Sequence, residues 1–168
     1  SVDAIGLNGG ALHAIWALDG LGALDDLDSA AGRAVVAALK HPAAGVRKAA
    51  ATVVSTRPSG GQAILDAGLL QDADLHARLA AVLALADAPT SEAIGRALYA
   101  ASLDASNTRD RWLSRAVYVA AHRHKALFLR EYRADPTATP ITALPLALRL
   151  GNNRPDWRLP DAAALAST

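Results

Sequence analysis

The chain has no cysteine and no methionine in 168 residues. Without cysteine there can be no disulfide, no thiolate nucleophile and no thiolate-held zinc or iron. With no Cys-x-x-Cys-His, a covalently attached c-type haem is excluded as well. The missing initiator methionine, with Ser1 at the start, leads us to expect a processed or excised piece, and the excess of Arg over Lys, of Asp over Glu and of alanine leads us to expect a bacterial source. Aromatics are scarce: three Trp, three Tyr and one Phe. Glutamate and lysine are scarce too, two Glu against 14 Asp and three Lys against 14 Arg. The formal net charge is only +1, so no global field attracts nucleic acid. No apolar run approaches the 18 or so residues of a membrane span, and nothing reads as a signal peptide.

What the chain has is alanine and leucine, 41 and 25 residues, within a hydrophobic fraction of 52%. Alanine is the best helix former, and its small side chain lets helices approach closely. Few alternating β-branched runs compete, so the fold class is all-α.

A pattern recurs along the chain. The stretch from His41 to Ala51 opens one helical hairpin, and looser copies begin near Leu12, Leu75 and Trp112. Counted from Val46, these starts lie 34, 29 and 37 residues apart. A period in this range means stacked helix pairs, each burying its apolar face against its neighbours.

The first helix is expected over about Ala11 to Leu24, ended by the Asp25–Ser29 cluster, with Asp28 or Ser29 capping the second. Pro42 suits the first turn of the third helix, whose inner face is Val46, Ala49, Ala50 and Val53. A short fourth helix carries Ile64 to Leu70. Asp72 or Asp74 caps the fifth, Thr90 the sixth, and Asn107 or Thr108 the seventh. The eighth runs from His124 to Arg133, anchored by Leu127 and Phe128. Trp16 and Trp112 fall in the apolar stripes and read as core. This gives four hairpins over residues 1–133. Residues 134–168 form an irregular tail broken by five prolines, expected to pack on or cap the last hairpin.

The hairpin at His41 resembles a HEAT repeat, through Pro42, Val46, Arg47, Ala50 and Val53. Asp72, Leu75, Leu79, Ala80 and Val82 follow the same pattern, with His76 where that family often has arginine. The resemblance spans about residues 10–133 and implies a right-handed α-α superhelix, a HEAT-like solenoid. The segment His13–Gly22, with Asp110-Arg111-Trp112-Leu113, is similar to helical-repeat segments of large secreted bacterial proteins that join a sugar-dehydrogenase-like propeller to a cytochrome c domain. That likeness implies a spacer or docking role and a periplasmic or secreted location. Otherwise the expected location is cytoplasmic.

No residue set reaches a catalytic claim, and no metal or cofactor is expected. His122 and His124 are two apart and diverge on a helix, and no His-x-x-x-His occurs. His13, Arg47 and His76 occupy matching places in successive hairpins and read as a structural inter-repeat ladder. For Arg47 the candidate partners are Asp72, Asp74 and Asp87. Asp25, Asp26 and Asp28 lack a calcium-loop pattern and read as turn and cap residues.

The strongest binding signal is basic. Residues 109–133 hold six Arg and one Lys against Asp110 and Glu131. Arg109, Arg111, Arg115, Arg123 and Arg130 are the candidate surface, and phosphate recognition would need several on one face beside a helix N-terminus. A solvated face is the plainer account of the same run. The residues together favour a non-catalytic scaffold for contacts with another protein or a neighbouring domain. The alternatives are a polyanion-binding module built on 109–133 and a HEAT-like lyase or glycosylase, the latter resting on fold analogy alone. Self-association through uncovered ends is a further expectation.

Overall fold

A computed structural model describes residues 8–135. Expectations for the tail beyond residue 135, including its packing on or capping of the last hairpin, lie outside the described residues. The helices are α1 (Gly9–Gly20), α2 (Ala30–Ala38), α3 (Ala44–Val54), α4 (Gly60–Asp66), α5 (Leu75–Asp87), α6 (Glu92–Leu103), α7 (Ala105–Thr108), α8 (Arg111–Arg123) and α9 (Lys125–Ala134), with a 3₁₀ turn at Leu69–Gln71. The described residues contain no strand, so the chain is all-α there.

Local chemistry sets the helix starts. Asn8, Ser29, Asp74, Ser91, Asp104 and Asp110 each accept a backbone N–H from the first turn of the following helix. Those donors have no partner inside the helix, which is why oxygen-bearing side chains sit there. Several starts differ from expectation. Asn8, not a residue near Ala11, begins α1. Ser91 caps α6 in place of Thr90, since it stands three residues before the amide it satisfies at Ile94. Pro42 precedes the N-cap Ala43 and lies outside the first turn of α3. Asp110 caps α8, while Asn107 is buried in α7, a single turn the periodicity did not signal.

The helices pack in two rows. In one, α1 lies on α3, α3 on α5 and α5 on α8; in the other, α4 lies on α6 and α6 on α9. The core follows the apolar stripes: Val46, Ala49, Ala50 and Val53 of α3, Leu85 of α5, Leu98 of α6, and Phe128 of α9 are all buried. Alanine at so many core positions brings neighbouring helix axes close. Gly95 tightens the second row further: a Cβ there would lie 2.5 Å from the Cβ of Leu127 on α9.

Two tryptophans depart from the expected core. Trp112 is 61% exposed and Trp16 is 47% exposed. In α8 the buried stripe is Leu113, Ala116, Val117, Ala120 and Ala121, the i, i+3, i+4 pattern that leaves Trp112 one step outside it. In α1 only Ile15 is buried, because this helix has a row neighbour on one side alone among the described residues.

Candidate interaction surface

Side chains tie each pair to the next at both ends of the first row. At the helix starts, Arg47 of α3 donates from Nε to Asp72 Oδ2 at 2.7 Å and from Nη2 to Asp72 Oδ1 at 2.8 Å. Its Nη1 donates to the carbonyls of His41 and Pro42, each at 2.8 Å. The hydrogen bond from Arg47 holds the Asp72 carboxyl below its ordinary range, against the opposing effect of burial. One pair further on, Arg78 of α5 donates to the Asp72 carbonyl at 2.8 Å, to Ser106 Oγ at 2.7 Å and to Asn107 Oδ1 at 3.1 Å. Asn107 in turn donates to the Ala101 carbonyl at 3.1 Å.

The ladder position in α5 therefore belongs to Arg78. Arg47 and Arg78 are each the fourth residue of their helices and stand 31 positions apart. His76 lies two residues earlier with its side chain 87% exposed, its Nδ1 3.8 Å from its own cap Asp74. His13 is exposed on α1. The signal for Arg78 was present in the sequence, in the matching distance from the helix start; the apolar residues used for alignment put the register two places off.

At the helix ends a second set of links appears. Arg57 reaches back to Asp19 of α1 at 2.9 Å and to the Leu24 carbonyl at 3.4 Å. Arg123 donates to the Ala86 carbonyl at 3.3 Å, and buried His124 lies 2.6 Å from the Leu85 carbonyl through Nε2. A carbonyl only accepts, so Nε2 carries the proton. These contacts add donors to carbonyls in the last turn of α5, where Leu85 also accepts the Ala88 amide at 3.3 Å.

The outward face of the first row carries a different kind of surface. Between α3 and α5 runs an open groove of about 450 Å³ lined by Lys48, Thr52, His76, Leu79, Leu83 and Asp87, among others. Leu83 is 42% exposed. Asp74 and Asp110 cap α5 and α8 in the same way, each accepting from the second and third residues of its helix. Arg115 and Val119 of α8 thereby occupy the places of Leu79 and Leu83 of α5, and Val119 is exposed like Leu83. On the same helix, Trp112 has the Arg111 guanidinium 5.5 Å and the Arg115 guanidinium 5.7 Å from its ring centroid.

The five candidate arginines of the basic segment do not form one patch. Arg109, Arg111 and Arg115 are exposed near the start of α8. Arg123 stands roughly 18 Å further along the helix axis, engaged with Ala86. Arg130 lies in the second row, paired with Glu92 at 2.8 Å and Glu131 at 3.2 Å; these hydrogen bonds raise its pKa and lower that of Glu92. The start of α8 does not offer an open anion site, because Asp110 already takes the amides of Trp112 and Leu113 at 2.8 Å.

No group of three His, Asp or Glu side chains among the described residues could hold a metal ion. No described helix is long and apolar enough to cross a membrane. Among the described residues, the titratable group pushed furthest upward is Tyr99, whose hydroxyl is raised to about 12 by burial and by its hydrogen bond to Asp135 at 2.9 Å. A shift in that direction makes the phenol harder to ionise, the opposite of what a base or nucleophile needs. No family model, curated protein or solved structure matches this chain.

Proposed function

We propose that this chain is a non-catalytic scaffold, a right-handed superhelix of four HEAT-like helix pairs, that presents the outward face of its first-row helices to another protein or to a neighbouring domain. The observation that carries the reading is the division of polar groups. Arg47, Arg57, Arg78 and His124 are spent on links between pairs. The outward face meanwhile keeps Leu83, Trp112 and Val119 partly in solvent. A chain that ties its repeats together with buried polar contacts and leaves an apolar strip exposed has the makings of a binding platform. The HEAT-like reading is supported by the pairing of α3 with α4 and by the equivalent placement of Arg47 and Arg78. A polyanion module is less well supported, since the basic segment divides between two helices and three surroundings.

Site-specific photocrosslinking in the native host tests the reading. A benzophenone side chain replacing Leu83 or Trp112 is expected to give a discrete protein adduct or a crosslink within a longer parent chain. The same group replacing exposed Arg96 on α6 is expected to give none. Failure at both outward positions, or equal labelling at all three, overturns the proposal.

A further inference from the structure

We infer that the outward face of α3, α5 and α8 binds an acidic amphipathic peptide segment, with apolar side chains laid along Leu79, Leu83 and Val119 and carboxylates meeting Lys48, Arg111 and Arg115. The inference rests on the scaffold reading and adds the chemistry of the partner.

The apolar part comes from the groove. Its volume of about 450 Å³ lies within the range that holds a few side chains, and its floor is the Leu79, Ala80, Leu83 and Ala84 stretch of α5. On neighbouring α8, Val119, 36% exposed, holds the helix position that Leu83 holds on α5. A surface of packed helices with a shallow apolar furrow takes an amphipathic segment through anchors at helical spacing.

The charge of the partner follows from how the acids are used. Asp72 is bound by Arg47, and Asp74 and Asp110 are bound by helix N–H groups. Asp87, at the end of the groove, is the carboxylate that lines it. On the cationic side, no carboxylate among the described residues forms an ion pair with Lys48, Arg109, Arg111 or Arg115. Lys48 lines the groove from α3, and Arg111 and Arg115 stand on α8, the other helix packed on α5 in this row. Cations on both helices that flank an apolar floor complement a segment with carboxylates flanking apolar anchors. Both guanidiniums lie near the Trp112 ring, and such contacts restrict their motion before a partner arrives.

A nucleic acid fits this layout less well. Backbone tracking needs a continuous line of cations, and single-strand binding also needs aromatic platforms along the path. Here the cations stand apart across an aliphatic floor, and the one aromatic ring, Trp112, is at the margin.

The test is a selection of random short peptides displayed on phage against the full chain, followed by fluorescence anisotropy on the enriched sequences. We expect enriched peptides to carry net negative charge and apolar residues at i and i+3 or i+4. Leu83→Ser is expected to weaken the best peptide about tenfold, and Arg111→Gln with Arg115→Gln to weaken it several-fold with a reduced salt dependence. Both sites are exposed, and an unchanged circular dichroism spectrum establishes that each variant folds. Enriched peptides that are basic or lack apolar spacing, yet still depend on Leu83, overturn the partner chemistry while leaving the platform reading intact. No enrichment overturns both. A single-stranded oligonucleotide that binds more tightly than any peptide, loses affinity steeply with salt and ignores Leu83→Ser replaces the inference with polyanion binding.

Discussion

The guanidinium of Arg47 and the carboxylate of Asp72 meet in a two-point hydrogen bond, at 2.7 and 2.8 Å, that joins α3 to the segment entering α5. The same carboxylate accepts the Asp74 amide at 2.9 Å, so it is oriented by its own chain as well as by the arginine. The two side chains are only 16% and 6% exposed. Removing one partner from such a pair leaves the other charge enclosed and uncompensated.

Arg47→Ala is therefore expected to destabilise the fold by about 3 kcal/mol, measured by urea denaturation. Arg47→Lys should cost most of that, because an ammonium cannot reproduce the fork and also reach the carbonyls of His41 and Pro42. The pair also has a pH signature. Asp72 titrates below its ordinary value in the folded chain, chiefly through the Arg47 hydrogen bond. A lowered folded value means that the stabilisation is complete above the unfolded value, about 3.9, and is lost as pH falls through the folded one. The stability gap between the wild type and Asp72→Asn should be widest near neutrality and should close below about pH 4. A gap that stays constant through that range contradicts the assignment.

Gly95 offers a prediction with an unusual sign. Glycine inside a helix normally costs about 1 kcal/mol relative to alanine, so Gly→Ala stabilises. At Gly95 the added methyl would meet Leu127 Cβ at 2.5 Å and the Leu127 backbone at 3.3 Å. The second row would have to open between α6 and α9, and overpacking of this kind costs about 1–3 kcal/mol. Gly95→Ala is expected to lower the denaturation midpoint. Gly10→Ala, on exposed α1 with Asn8 Oδ1 at 3.8 Å as its nearest neighbour, is expected to leave it unchanged or raise it slightly. If both substitutions raise the midpoint, the close approach of α6 and α9 is wrong.

The helical class was legible because alanine and leucine dominate the composition and the apolar spacing of α3, α5 and α9 is regular. Val46, Ala49, Ala50, Val53 and Phe128 fall inside as their spacing requires. Caps were legible only in part. Ser29 and Asp74 were among the residues named, but Ser91, Asp104 and Asp110 each compete with a nearby Thr, Ser or Asn of similar chemistry, and the choice depends on where the preceding helix stops. Trp16 and Trp112 misled because a large aromatic near an apolar stripe reads as core, whereas alanines already fill the stripe of α8 and α1 has a row neighbour on one side alone among the described residues. The ladder register failed for a related reason. His76 aligns with Arg47 by counting from apolar neighbours, and Arg78 aligns with it by counting from the first helical residue. Only the second count survives the extra residues between pairs. The basic run showed the opposite limit: sequence gives the charge, but the three dimensions of α8 and α9 divide it among a solvent-exposed cluster, a carbonyl cap and an ion pair.

The last prediction concerns Tyr99, which joins α6 to the end of α9. Its hydroxyl donates to Asp135 at 2.9 Å, and its ring meets Phe128 and Tyr132 edge-on at centroid distances of 5.6 and 6.5 Å. Burial is the larger cause of its pKa near 12, and the Asp135 hydrogen bond is the second. A phenol whose folded value is raised contributes stability that is complete below the unfolded value, about 10, and is lost as pH rises toward 12. Alkaline titration followed by phenolate absorbance should show a late step that disappears in Tyr99→Phe. Asp135→Asn should move that step downward yet leave it above 10, because the enclosing Phe128 and Tyr132 rings remain. If Asp135→Asn returns the step fully to 10, the carboxylate rather than burial governs the group. If no late step exists in the wild type, the hydroxyl is in solvent and the junction of α6 with α9 is not closed as described.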